Sequence, residues 1–128
     1  MRPTTREWVN KAENDFKVAS QILGRRKDVV PDAACFFAQQ CVEKYLKARL
    51  VEAGLPFPRT HDLLQLLNAC LAVEPSWSPY SKVVDQMTDY AVGYRYPGHS
   101  ATLREARIAL KHCRALRTEA RRALKLKA

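Results

Sequence analysis

One ten-residue stretch gathers the most chemically able side chains of this sequence: Tyr90-Ala-Val-Gly-Tyr-Arg-Tyr-Pro-Gly-His99. It sets Tyr90, Tyr94, Arg95, Tyr96 and His99 beside Pro97 and Gly98, which do not continue a helix. An arginine can hold the charge on a phosphate, or cap the last carbonyls of a helix. A histidine can exchange a proton near neutral pH, so the question at Arg95 and His99 is whether the stretch does chemistry or only ends a helix. Tyr94 and Tyr96 can stack on a base or pack in an interface. Elsewhere, Gln40 and Lys44 fall one turn apart next to Phe36 and Phe37. They can contact a phosphate or base, or form a polar seam at the edge of a bundle. His61 precedes a leucine-rich run, where it can transfer a proton or hydrogen-bond to fix the loop before it.

The elements that position these residues are helical. A chain of 128 residues with 47% hydrophobic content is expected to form one domain, residues 1–128, with a core that needs no covalent staple. The pattern predicts an all-α, up-and-down bundle of four longer helices plus one short helix. The first helix is expected to start at Thr4, because Thr4-x-x-Glu7 has the spacing of a capping box. Trp8, Ala12, Phe16, Ala19 and Ile22 or Leu23 form its apolar stripe, with Lys11, Asn14, Asp15 and Gln21 on the other side. The second helix runs from about Pro31 to Ala53 and is apolar around most of its circumference, which marks the central helix. Glu43 and Lys47 on it have the spacing of a surface ion pair worth a few tenths of a kcal/mol.

An extended two-proline connection follows, then a short third helix capped by Thr60 with Asp62 in its first turn. The fourth helix is expected from Ser78 as N-cap and Pro79 at its first position, burying Tyr80, Val83, Val84, Met87, Tyr90 and Ala91. Thr102-x-x-Glu105 is a second capping box and launches the fifth helix. That helix has Ala106, Ala109, Leu110, Cys113, Leu116, Ala120 and Leu124 on one face. Arg104, Arg107, Lys111, Arg114, Arg121 and Lys125 lie on the other. No β-alternation or internal repeat interrupts the helical reading.

Charge, cysteines and termini bound the function. From residue 102 onward, nine Lys or Arg oppose two Glu, so this segment supplies +7 of the net +9. A basic helix can meet RNA, DNA, anionic lipid or an acidic protein, or simply be solvated. No helix-turn-helix spacing supports sequence-specific DNA readout. Cys35, Cys41, Cys70 and Cys113 show no Cys-x-x-Cys pair, so no metal or other cofactor is expected, only buried reduced thiols. There is neither an apolar run long enough to span a membrane nor an apolar segment near Met1, which makes the cytoplasm the expected compartment.

Three motifs together resemble the HEPN domain (higher eukaryotes and prokaryotes nucleotide-binding). They are Phe36-Phe-Ala-Gln-Gln-Cys-Val-Glu-Lys-Tyr-Leu-Lys47, Thr60-His-Asp-Leu-Leu64 and Arg95-Tyr-Pro97, in the family's order. The resemblance implies a small helical bundle, commonly a homodimer, that binds nucleotide or RNA. It further implies a minimal nucleotidyltransferase as partner, in a module of toxin–antitoxin type. Many family members are metal-independent ribonucleases with an Arg-x(4–6)-His motif; here three residues separate Arg95 from His99. On that footing Lys44, Gln40, Arg95, Tyr94 and Tyr96 are the expected nucleotide or phosphate contacts, with Arg95, His99 and His61 as catalytic candidates. A non-catalytic interaction subunit is the other reading.

Overall fold

Apolar residues that wrap a helix on all sides require neighbours on all sides, and the second helix has them. The computed structural model of the chain describes residues 1–91, 93 and 96–128. Among these stand the helices α1 (Pro3–Leu23), α2 (Pro31–Glu52), α3 (Leu63–Cys70), α4 (Ser81–Thr88) and α5 (Leu103–Ala123), and no strand. The fold is all-α. Helix α2 is central: α1 and α5 pack on it, as do α3, α4 and the turn Asp89–Ala91. Ala34, Cys35, Ala38, Cys41, Val42, Tyr45, Leu46, Ala48 and Leu50 of α2 are all buried. Leu63, Leu66 and Leu67 of α3, Val84 and Met87 of α4, and Ala106, Ala109 and Cys113 of α5 close around them.

Cross-links between the helices give their directions. Thr5 donates to Glu52 and Tyr45 donates to Glu13, so α1 runs antiparallel to α2. The Ala101 amide donates to Asp32 at one end and Arg121 donates to Tyr45 further along, so α5 runs parallel to α2. Between α2 and α3 the chain must climb back from residue 53 to the level of Gln39, which donates to the His61 carbonyl. Fourteen helical residues span about 21 Å, and eight extended steps reach at most about 29 Å. Pro56 and Pro58 keep this return extended, where a helix of the same length would fall short. The consequence is that α3 descends alongside α2, with the Cys70 thiol against the Leu46 carbonyl.

Several expected boundaries move, each for a local reason. Pro3 takes the first position of α1, so Thr4 lies inside the helix and its capping box does not form. The start is tied down instead by the Arg2 amide, which donates to Glu52. Asp62, not Thr60, caps α3 and accepts from Leu64; Thr60 accepts from Asp62 one turn earlier. Ser78 is not an N-cap either. The chain turns helical at Pro75 as a 3₁₀ segment, Pro75–Tyr80, continues as α4 and passes into a 3₁₀ turn, Asp89–Ala91. The fourth element is therefore α-helical only over Ser81–Thr88, and its expected end between Gly93 and Pro97 falls partly outside the described residues. The box at Thr102 and Glu105 forms in both directions, at 3.0 Å each.

Candidate functional site

His61 stands where the extended return meets α3, and it is held there twice. Its carbonyl accepts from Gln39 at 3.1 Å, and its Nδ1 lies 2.9 Å from Glu43 Oε1. Gln39 and Glu43 are one helical turn apart, so a single face of α2 grips both the backbone and the side chain of His61. The Glu43 side chain is only 4% exposed, whereas that of His61 is 75% exposed. The corner thus couples a buried carboxylate to an imidazole that opens to solvent.

The second oxygen of Glu43 is also engaged. Lys47 Nζ lies 3.1 Å from Oε2, and its ammonium sits 5.4 Å from the Trp8 ring centroid and 5.5 Å from that of Phe57. Trp8 and Phe57 meet edge to face at 5.9 Å. The Glu43–Lys47 pair is therefore buried, not a surface pair. Burying a carboxylate unpaired is costly, and a cation lodged against two aromatic faces compensates it. The spacing was right; the environment was not legible, because the aromatic lid comes from α1 and from the return segment.

The corner adjoins the end of the fourth element. The Leu63 amide donates to Thr88 Oγ1 at 3.0 Å, and Thr88 is the last residue of α4 before the turn that leads into residues 90–99. Tyr90 packs against the core, and burial pushes its hydroxyl above the usual tyrosine value, helped by the charges of Cys35, Glu105 and Asp89. Tyr96 is 61% exposed; His99 is exposed, with its amide donating to the Tyr96 carbonyl at 3.4 Å. Tyr94, Arg95 and the Ala91 side chain lie outside the described residues.

Lys44 and Gln40 have other partners. Lys44 Nζ lies 2.5 Å from Asp15, a residue buried on α1 rather than on its solvent side as the helical pattern suggested. Gln40 donates to Gln39 at 2.8 Å and so buttresses the grip on His61. A phosphate at Lys44 would have to displace the Asp15 carboxylate.

A second polar centre ties α5 to the other two long helices. Arg117 donates to both oxygens of Glu13, and Tyr45 donates to the same carboxylate at 2.5 Å. Arg121, placed on the outer face by its spacing, is turned inward and donates to Tyr45 at 3.0 Å. Arg117 also lies 4.6 Å from the Phe16 ring centroid. A groove of about 520 Å³ beside this centre is walled by Phe16, Lys17 and Ser20 of α1 together with Arg117, away from the residues that hold His61. Outside it, Arg104, Arg107, Lys111 and Arg114 are exposed.

The family model described as the HEPN domain matches residues 5–123. The chain belongs to the HEPN family. The crystal structure of TT1696 from Thermus thermophilus is similar in fold, with a TM-score of 0.75 at 22% identity, covering 95% of this chain and 99% of that one. No curated protein matches. Within this HEPN chain, sequence reasoning found His61 but missed Glu43 as its partner. The signal available was the run Gln39, Glu43, Lys47 at four-residue spacing on a helix otherwise apolar all round. Glu13 and Arg117 left no comparable trace, because their meeting depends on how α1 and α5 pack. All four cysteines of the HEPN bundle are buried and free, and burial pushes the thiols of Cys35 and Cys70 up to about 12. Among the described residues, no helix is long and apolar enough to cross a membrane.

Proposed function

We propose that this HEPN protein binds nucleotide or RNA phosphate around His61 and the end of α4, using residues of the stretch 90–99 that follows. It works in the cytoplasm as a homodimer, beside a minimal nucleotidyltransferase in a toxin–antitoxin-like module. The observation that carries the reading is the exposed His61 imidazole, anchored on buried Glu43 next to the end of α4. Arg95 follows that end by seven residues and is the cation offered to the phosphate. Lys44 and Gln40 serve the bundle, and Tyr94 and Tyr96 flank the arginine. Fluorescence anisotropy with a labelled single-stranded RNA tests this. Arg95→Ala is expected to weaken binding about tenfold or more, as loss of a charge-assisted hydrogen bond does. Lys11→Ala on the exposed side of α1 serves as control and is expected to leave binding unchanged. Equal affinities in all three proteins would refute the site.

A second reading, metal-independent ribonuclease using Arg95 and a histidine, draws on the oriented His61, because a histidine held by a carboxylate suits proton transfer at a phosphodiester and an arginine suits the charge that develops there. RNA incubated with the protein in EDTA would then be cut to 2′,3′-cyclic phosphate ends, with the cutting lost in Arg95→Ala. Intact RNA would leave the binding role and remove the enzymatic one.

A further inference from the structure

An ionised carboxylate can only accept hydrogen bonds, so its partner nitrogen must carry the proton. Glu43 Oε2 is matched with the Lys47 ammonium, and Oε1 faces His61 Nδ1 at 2.9 Å. In neutral His61 the proton therefore sits on Nδ1, and Nε2 has a free lone pair on an imidazole that is largely exposed. The ring cannot turn over without giving up Glu43, and Gln39 fixes the backbone beneath it through the His61 carbonyl.

We infer that Glu43 is a positioning residue that presents His61 Nε2 as a hydrogen-bond acceptor for a ribose hydroxyl, so that the site selects ribonucleotides over deoxyribonucleotides. This rests on the nucleotide reading above. A phosphodiester oxygen offers this lone pair nothing, because it also accepts; on the reading above the phosphate goes to Arg95 and leaves Nε2 of His61 for another group of the same nucleotide. A hydroxyl does offer it a proton, and the 2′-hydroxyl is the donor that distinguishes RNA from DNA at a single position. The aromatic lid of Trp8 and Phe57 over Lys47 has a defined part in this. It keeps the ammonium on Oε2, leaving Oε1 for the imidazole.

Fastening the return segment to α2 is a purely structural use of the same bond, and His61→Asn separates the two. The asparagine amide can stand where Nδ1 stood and donate to Glu43, but it has nothing at the place of Nε2. Two measurements on the full chain decide the matter. Nitrogen-15 NMR of the histidine side chains, without ligand and at about pH 8, above the ordinary imidazole range, reads the tautomer directly. Anisotropy with single-stranded oligouridylate and its 2′-deoxy counterpart reads the selectivity.

The wild type is expected to show the Nδ1–H form at His61 and to bind the ribo-oligomer about fivefold more tightly, the worth of one neutral hydrogen bond. His61→Asn is expected to keep the thermal midpoint and lose the preference. Glu43→Gln, whose amide can donate as well as accept, is expected to mix the tautomers and lower the preference. A wild-type Nε2–H tautomer overturns the positioning role of Glu43. Equal binding of the two oligomers, or a preference that survives in His61→Asn, overturns the ribose contact. Binding of neither oligomer overturns the nucleotide reading and the ribose contact with it, while the tautomer, read without ligand, still decides the role of Glu43.

Discussion

Arg117 and Glu13 form a two-pronged contact between the last long helix and the first, with Nε 2.7 Å from Oε2 and Nη2 2.6 Å from Oε1. The planar guanidinium matches the carboxylate edge to edge, an arrangement that lysine cannot reproduce. Burial alone raises the Glu13 carboxyl value. Hydrogen bonds from Arg117 and Tyr45, with the charges of Arg117 and Arg121, outweigh burial and hold it below the ordinary 4.5.

That difference is linked to pH. A carboxyl with a lowered folded value binds fewer protons in the folded state, so its contribution is complete above about 4.5 and is lost as pH falls through the lower folded value. Urea midpoints are expected to drop as pH falls below that range, with a shallower fall in Glu13→Gln. At neutral pH the same variant should cost about 1–2 kcal/mol, discounted because the side chain is 31% exposed. Parallel pH curves for the two proteins would contradict the assignment.

Lys44 and Asp15 offer a different discrimination. Their 2.5 Å contact joins α1 to α2 away from the His61 grip. Lys44→Met is therefore expected to lower stability by about 1–3 kcal/mol, since Asp15 is left buried without its cation. RNA affinity should be unchanged. A stable variant that no longer binds RNA would return Lys44 to the ligand set.

Two sequence boxes with the same spacing have opposite fates, and stability can separate them. Thr102→Ala removes the acceptor for the Glu105 amide and is expected to cost about 1 kcal/mol. Thr4→Ala, inside α1, is expected to change stability by less than about 0.5 kcal/mol, as surface substitutions do. Thermal or urea midpoints of both variants check the contrast.

Helix identity was legible wherever an apolar pattern met a clear stop, as at Gly24 and Gly54, or a clear start, as at the Thr102 box. Competing signals blurred the rest. Pro3 overrode the Thr4 box by taking the first helical position. Pro75 and Pro79 turned the start of the fourth element into a 3₁₀ segment. The site was legible only in part, for a related reason. His61 declared itself by residue type, but its partner Glu43 looked like half of a surface pair until Trp8 and Phe57 arrived from other segments to cover Lys47. Asp15 and Arg121 were likewise assigned to solvent by periodicity and drawn inward by partners on other helices. Long-range charge pairing leaves no periodic mark.

The location of the RNA site is open to direct measurement by backbone amide NMR during titration with a short single-stranded RNA. The account predicts shifts centred on His61, Leu63 and Thr88 and on residues 90–99. Shifts confined to the outer face of α5, at Arg104, Arg107 and Lys111, would contradict it, as would a spectrum that RNA leaves unchanged.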